Sequence, residues 1–270
     1  MSVRWLGLFL ACMILPAAAI SCTDDDLGEA NAIVTDIPWS APESYAYDIV
    51  NDDQEKQGEG TLSIVERDGR AYIVQQFEDD EGNSDMSVIA VDPATLEPFA
   101  GERTIIDTED DRRVILDSEY GTLDDGSYGV RIRERNFDPA DDDEPSSERC
   151  NPLKLAENTY DNDSSLFLWR TIEFRERNDV AYTASLPNRR LRRDVTLEVM
   201  EQTQVETPAG QFDAWRVRIR TSDQTQNAWF ATTDDHKLLV YDNGEQIFLY
   251  TGEAGPPDFD VPEGVPEECE

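Results

Sequence analysis

Polar and apolar residues alternate along short stretches of this chain, and turn-forming residues separate one stretch from the next. Alternation with a period of two places side chains on opposite faces of an extended strand, so the pattern predicts an antiparallel sheet. Asp68-Gly69, Asp125-Gly126 and Asn243-Gly244 lie between such stretches and suit tight turns. The predicted strands cover residues 44–51, 60–67, 71–78, 85–91, 102–107, 112–118, 128–135, 179–186, 194–206, 212–221, 226–232, 237–242 and 245–250.

One predicted hairpin can be assigned a register. Pro208-Ala209-Gly210 suits a three-residue loop, because proline presets φ at the first turn position and glycine accepts a left-handed conformation. This loop pairs Thr207 with Gln211. Counting outward then places Val199 opposite Ile219, so that apolar side chains meet across the two strands.

A single segment departs from the period of two. Asp163 can cap a short helix that runs from Ser164 to about Ile172 and is apolar over most of its surface. One apolar helix in a β-rich chain must bury itself against the sheet. We therefore predict an all-β fold: a curved antiparallel sheet or half-barrel meander with one short helix packed on its concave side.

The N-terminus has the pattern of an export signal. An apolar run from Trp5 to Ile20 follows Arg4 and is shorter than the roughly 20 residues that a membrane-spanning helix needs. Ala19-Ile20-Ser21-Cys22 resembles the lipobox of bacterial lipoproteins, although lipoboxes usually carry leucine where Ala19 stands. Cleavage before Cys22 would leave a lipid anchor on this cysteine, whereas cleavage after Ala19 would release a secreted protein. We expect a lipid-anchored protein on the outer face of a bacterial membrane.

Composition divides the chain into four parts. Residues 1–21 are the predicted signal peptide, 22–42 a flexible acidic tether, 43–251 a single β-rich domain, and 252–270 an acidic, proline-rich tail without regular structure. A long acidic loop is predicted at 136–149 within the domain.

The chain is strongly acidic, with 59 acidic and 23 basic residues and a formal net charge of −36. Such a field repels nucleic acid and anionic headgroups, so no nucleic-acid partner is expected. The only basic patch is Arg189, Arg190, Arg192 and Arg193, and the acids around it make an anionic ligand there the less favoured interpretation.

The cysteines predict one disulfide. Cys12 leaves with the signal and Cys22 carries the lipid, so Cys150 and Cys269 remain as a pair in an oxidising compartment.

Turn and core residues form distinctive motifs in four segments: Val91–Pro98, Tyr160–Arg170, Val205–Val217, and Ala228–Phe230 leading to Leu239–Tyr241. In these segments the chain resembles a family of exported bacterial proteins known as domain of unknown function 3108. The resemblance covers roughly residues 43–251 and excludes the acidic loop and the tail. It implies a curved antiparallel sheet and carries over no catalytic or binding residue.

No catalytic or metal-binding constellation is recognisable in the sequence. A Ser-His-Asp triad would depend on His236, the only histidine, for which a solvated turn position is favoured. Zinc signatures are absent, and the acidic runs at 161–163 and 78–81 lack the glycine and distal glutamate of a calcium-binding EF-hand. We predict no catalytic residue, no metal and no cofactor.

Trp169, Trp215 and Trp229 are candidates for lining a cavity between sheet and helix, or else they belong to a filled core. By analogy with lipoprotein carriers, the leading hypothesis is a non-enzymatic envelope lipoprotein that carries an apolar small molecule in a half-barrel. The alternative is a surface structural or protein-interaction module with a filled core, and an enzyme ranks third. A cavity of acyl-chain size would favour the carrier, and buried acids in a cleft would favour an enzyme.

Overall fold

The computed structural model describes residues 30–141, 143–266 and 269. The predicted signal peptide and Cys22 lie outside the described residues. Fifteen strands in the described part form one sheet. They are β1 (Glu43–Val50), β2 (Lys56–Arg67), β3 (Arg70–Asp79), β4 (Ser84–Val91), β5 (Pro98–Asp107), β6 (Arg112–Thr122), β7 (Tyr128–Phe137), β8 (Ser147–Lys154), β9 (Tyr160–Asp161), β10 (Asp179–Leu186), β11 (Leu191–Thr207), β12 (Gly210–Arg220), β13 (Thr225–Ala231), β14 (Leu238–Asp242) and β15 (Ile247–Glu253).

The sheet is a meander whose two halves meet where β1 pairs with β15. The N-terminal half runs from β1 outward to β8, and the C-terminal half runs from β15 outward to β9. All neighbours are antiparallel except the short β9, which lies parallel to β10. Because β8 and β9 form opposite edges, the sheet is open. The predicted all-β antiparallel meander is confirmed.

Every predicted strand is present, but β8 and β9 are not predicted from the alternation. β7 continues to Phe137 and β8 begins at Ser147, so the acidic loop is shorter than the predicted 136–149. The residues of β8 are mostly exposed and are ordered by backbone pairing with β7. An exposed edge strand of this kind has no buried face, and therefore no apolar alternation marks it.

The β11–β12 hairpin has a tighter loop than the one predicted. Thr207 pairs with Gly210, whose φ is +132°, so two residues rather than three form the loop. A bulge further along β11 shifts the register again, and Val199 lies opposite Val217 rather than Ile219. The predicted pairs are therefore wrong. The shifts add up to an even number, so apolar residues still face apolar ones.

A short helical segment, residues 162–171, fills the concave side of the sheet. Phe167 and Leu168 are 2% and 0% exposed and pack in one core with residues of both halves. Asp161 rather than Asp163 caps the segment, because its side chain accepts a hydrogen bond from the Asp163 amide. No helix in the described residues is long and apolar enough to span a membrane. The turns are 3-10 at Asn162–Ser164, α-helical at Ser165–Leu168, and 3-10 at Trp169–Thr171 and Pro187–Arg189.

Residues 30–42 lie against the domain. Ile33 and Trp39 are 4% and 8% exposed and belong to the main core. The indole of Trp39 meets the ring of Phe167 edge to face at 5.6 Å. The flexible tether predicted for 22–42 is therefore corrected from residue 30 onward, because apolar side chains in it occupy core positions.

The C-terminal tail crosses the convex face of the N-terminal half. Residues 254–266 contain no helix or strand, as predicted. We call these residues, together with Cys269, the strap. The ring of Phe259 lies 5.7 Å from the ring of Tyr72. The guanidinium of Arg67 lies 4.5 Å from the centroid of the Phe259 ring. Phe259 thereby covers a small apolar cluster of the convex face, which comprises Tyr72, Val74, Val88 and Ala90.

A disulfide fixes the end of the strap. The amide of Val265 donates to the Glu119 carboxylate at 3.2 Å. Beyond this contact, Cys269 is bonded to Cys150 of the edge strand β8, with the Cα atoms 5.2 Å apart. This is the pairing that the sequence analysis predicts. It closes a loop with a sequence separation of 119 residues, which contains β9 to β15 and the strap.

We expect Cys150→Ser to lower the free energy of unfolding by roughly 2 to 5 kcal/mol, because the disulfide restricts the unfolded chain over a long loop. Urea denaturation of the oxidised protein and the variant measures the difference. Dithiothreitol should weaken the natural protein and leave the variant unchanged. Equal stability of the oxidised protein and the variant would contradict this role of the bond.

Candidate functional site

A buried polar cluster joins the helical segment to the N-terminal half of the sheet. Asp161 ends β9 and Asp163 lies in the first turn of the segment. Their partners, Arg103 on β5 and Tyr120 on β6, come from the opposite half. We call Asp85, Arg103, Tyr120, Asp161 and Asp163 the polar seam.

Asp161 occupies the most enclosed position of the polar seam, with 1% of its surface exposed. The Tyr120 hydroxyl donates to its carboxylate. The same hydroxyl lies 2.7 Å from the hydroxyl of Ser185 on β10. The other carboxylate oxygen of Asp161 accepts from the Asp163 amide at 2.8 Å. One carboxylate therefore orders both the start of the helical segment and the contact with β6.

Arg103 connects two acids of the polar seam. Its guanidinium donates to both oxygens of Asp85, at 2.5 and 2.9 Å, and to Asp163 at 3.2 Å. The Gln75 amide on β3 donates to the backbone carbonyl of Asp163. Bidentate arginine–carboxylate pairs have a fixed geometry. The helical segment is thus held in one orientation against β3, β4 and β5.

Burial and charge set the protonation of the polar seam. Burial, followed by the negative charge of Asp163, raises the pKa of Asp161 to about 7. Burial also raises the pKa of Asp163, but the positive charge of Arg103 opposes this rise. Burial disfavours the charged form of Arg103, yet the carboxylates of Asp163 and Asp85 outweigh that effect and raise its pKa. Asp161 therefore holds a proton through much of the acidic range, while Arg103 stays charged.

The cavity beside the polar seam is small, with a volume of about 10 Å³. This is room for one water molecule. It is lined by Ile89, Gly101, Glu102, Arg103, Leu116, Ser118, Asp161, Asp163, Pro187 and Asn188.

A second, open cleft of about 410 Å³ lies at the ends of β12 and β13. Asp235 and Lys237 pair across it at 3.2 Å. The ammonium of Lys237 also lies 5.4 Å from the ring centroid of Tyr45. Six of the eight residues that line the cleft are polar or charged, whereas small-molecule pockets are lined predominantly by apolar side chains. Its lining residues are Gln211, Phe212, Asp213, Ala231, Thr232, Thr233, Asp235 and Lys237.

Arg170 fastens the other end of the helical segment. Its side chain is 2% exposed and pairs with Glu43 at 2.9 Å. It also donates to the backbone carbonyls of Asp235, at 2.6 Å, and His236. The rings of Trp39, Tyr45 and Phe167 surround the guanidinium. This arginine links the segment to β1 and to the turn before β14.

The three predicted pocket tryptophans lie apart. Trp169 is 4% exposed within the helical segment. Trp215 on β12 lies opposite the buried Phe230 on β13. Trp229 is the residue directly before Phe230 on β13. Adjacent strand residues point to opposite faces, so Trp215 and Trp229 lie on opposite sides of the sheet. The structure therefore does not bring the three side chains to one cavity.

Several of the remaining sequence candidates have structural partners. Arg190 pairs with Glu134 at 2.7 Å and Arg193 with Asp223 at 3.2 Å, which neutralises half of the predicted basic patch. His236 packs with its ring centroid 4.3 Å from that of Phe174. The acidic run at 161–163 points into the polar seam, where Arg103 and Tyr120 take up its carboxylates.

The family comparison identifies the chain. A model for a protein of unknown function, DUF3108, matches residues 46–243. The chain belongs to the DUF3108 family. This DUF3108 protein matches no curated protein. The polar seam and both ends of the helical segment lie within the matched residues.

Three solved structures resemble the DUF3108 protein at low identity. A β-barrel-like DUF1849 protein from Brucella abortus is 15% identical, with a TM-score of 0.46, over 79% of this chain and 95% of that chain. A candidate exported protein with a YmcC-like fold from Bacteroides fragilis is 11% identical (TM-score 0.28; 83% and 100% covered). A candidate lipoprotein from Parabacteroides distasonis is 8% identical (TM-score 0.30; 83% and 100% covered).

We expect Arg103→Met to destabilise the protein by roughly 3 kcal/mol, because it leaves Asp85 and Asp163 without their shared cation. The matched control is Arg220→Met, whose pair with Glu198 is more exposed and contributes less than about 1 kcal/mol. Adding Asp163→Asn to Arg103→Met should restore part of the loss. Urea denaturation measures all three variants, and equal losses for Arg103→Met and Arg220→Met would contradict the account of the polar seam.

We expect Asp161→Asn to alter how stability depends on pH. The folded-state pKa of about 7 exceeds the ordinary value of 3.8, so folding takes up a proton between them. The resulting stability is present at about pH 4 and lost as the pH rises through 7. Because asparagine cannot ionise, the stability of the variant relative to the natural protein should rise by on the order of 2 to 4 kcal/mol from about pH 4 to about pH 8.

Denaturation curves at several pH values test this change. Asp110→Asn, the same substitution at an exposed turn residue, should show no such trend. A constant difference between Asp161→Asn and the natural protein would show that Asp161 does not titrate as described.

Proposed function

We propose that this DUF3108 protein is an exported envelope lipoprotein, anchored through Cys22, that acts as a non-enzymatic protein-interaction module. The filled concave side of the sheet supports this proposal most directly. Phe167, Leu168 and Trp169 are 2%, 0% and 4% exposed there. They occupy the space in which a half-barrel carrier would hold its ligand. The leading carrier hypothesis from sequence therefore gives way to the alternative of a module with a filled core.

The cavities favour the same proposal. The cavity at the polar seam, at about 10 Å³, is too small for a substrate or an acyl chain. The larger cleft is open to solvent and carries the Asp235–Lys237 ion pair. The buried acids of the polar seam have structural partners on β4, β5 and β6. Holding the helical segment accounts for their burial without invoking catalysis.

The outer surface is the part of the molecule left for interaction. The formal net charge of −36 disfavours nucleic acid and anionic headgroups as partners. Arg133 and Arg135 on the convex face are paired with Asp117. Partners of the module are therefore proteins with neutral or basic surfaces.

Mass spectrometry of the protein purified from native membranes tests the proposal. We expect a diacylglyceryl mass on Cys22 and no lipid that co-purifies in stoichiometric amount. Cys22→Ser should abolish the lipid mass and move the protein to the soluble fraction. A stoichiometric co-purifying lipid would restore the carrier hypothesis. A natural protein that begins at Ile20 and carries no lipid would instead indicate secretion.

A further inference from the structure

We propose that the convex surface of β3 to β6 beneath the strap is a docking site for an extended segment of a partner protein, with an aromatic anchor followed by basic residues. The strap covers this site while its disulfide is intact. This inference rests on the proposed role as an interaction module and names one of its surfaces.

The floor of the docking site is apolar although it faces away from the core. Ile73 points into the main core, so its neighbours Tyr72 and Val74 point to the convex face. Tyr72 and Val74 join Val88 in a cluster separate from the main core. The outer face of an antiparallel sheet is ordinarily polar, and an apolar patch that becomes exposed on it marks an interaction site. Here Phe259 of the strap covers that patch.

The strap itself shows what the site accepts. It is an extended segment without helix or strand, and it is anchored by one aromatic side chain. Phe259 is 9% exposed, while Val261 two residues later is 43% exposed. The guanidinium of Arg67 lies over the Phe259 ring and completes the anchor position. Pro262 and Val265 of the strap are also buried, and Phe259 is the aromatic member of this apolar set.

Beyond that ring, the charges of the strap do not match the surface. Asp260 and Glu263 of the strap and Asp117 of β6 add negative charge at Glu102, whereas Arg135, which pairs with Asp117 as Arg133 does, opposes it. Together with burial, these acids raise the pKa of Glu102. Like charges in proximity repel, so Phe259 and the disulfide hold the strap against this repulsion. A segment with basic residues in place of Asp260 and Glu263 would bind without that penalty.

Opening the site requires reduction of one bond. Cys150 is exposed on β8, whereas Cys269 is 4% exposed. A thiolate of a dithiol reductant attacks the Cys150 sulfur, forms a mixed disulfide and releases the Cys269 thiolate, which takes up a proton. The second thiol of the reductant then displaces Cys150. Both cysteines end as thiols, and the reductant ends as a disulfide. The released strap stays tethered at Glu253 and competes with a partner as an intramolecular ligand.

Fluorescence anisotropy on the full-length protein tests the docking site. The probe is a labelled peptide of residues 254–266 in which Asp258, Asp260 and Glu263 are replaced by lysine. We expect it to bind the protein in dithiothreitol and not the oxidised protein. Phe259→Ala in the protein should tighten binding roughly tenfold, because the tethered competitor loses its anchor. Val261→Ala, at an exposed strap residue, is the matched control and should behave as the natural protein does.

Two further peptides decide between alternatives. The peptide with the natural acids should bind roughly tenfold more weakly than the lysine peptide at low salt. The difference in affinity between the two peptides should become smaller as salt is added. Replacing the phenylalanine of the lysine peptide by alanine should weaken binding by roughly tenfold or more. Equal binding of the acidic and lysine peptides, or undiminished binding without the phenylalanine, would overturn the proposal.

Circular dichroism completes the test, because the site requires a folded sheet. Loss of fold on reduction would overturn the proposal, as would equal binding to oxidised and reduced protein. These measurements use purified protein without a membrane. If they fail, the docking site is rejected, and the proposal of a lipid-anchored interaction module is still decided by mass spectrometry.

Discussion

The ion pair between Arg103 and Asp163 holds the helical segment against the N-terminal half of the sheet, and the shape of the domain depends on that attachment. At its other end, the segment is tied to β1 and the C-terminal half by Arg170, and Trp169 donates to the Tyr182 hydroxyl at 2.8 Å. The segment therefore bridges two halves that share backbone pairing only where β1 meets β15. An open sheet of fifteen strands has no hydrogen-bonded closure. Side chains of the segment supply one instead.

Both ends of the described chain pack against apolar residues of the sheet. Residues 30–42 place Ile33 and Trp39 in the concave core, and the strap places Phe259 on the convex face. The two contacts differ in kind. The N-terminal one is apolar and lies in the main core, whereas the strap carries acids toward other acids and is secured covalently. The filled interior and the covered exterior patch both support the proposed role in interactions at the surface.

Sequence patterns predict the strands of this fold because burial of one face leaves a period of two. They predict the disulfide because only Cys150 and Cys269 remain once the signal and anchor cysteines are assigned. They miss β8, which is exposed and ordered by its neighbour. They also misplace the β11–β12 register, because nothing in the alternation marks a bulge.

The polar seam could not be predicted for a different reason. Tyr120 and Asp161 are separated by 41 residues and Arg103 and Asp163 by 60, so only the path of the sheet brings them together. Among 59 acidic residues, no local spacing distinguishes the buried ones. The sequence feature that comes nearest to indicating the polar seam is Asp161-Asn162-Asp163 at the start of a helix, where a capping carboxylate is expected.

Hydrogen–deuterium exchange of the native protein tests most directly whether the helical segment closes the sheet. The account predicts that amides of residues 162–171 exchange as slowly as those of β3 and β6. It also predicts that Arg103→Met accelerates the exchange of these amides before it accelerates the exchange of amides in the strands of the C-terminal half. Exchange of the segment at the rate of exposed loops in the natural protein would contradict the account, because the segment would then not hold the two halves together.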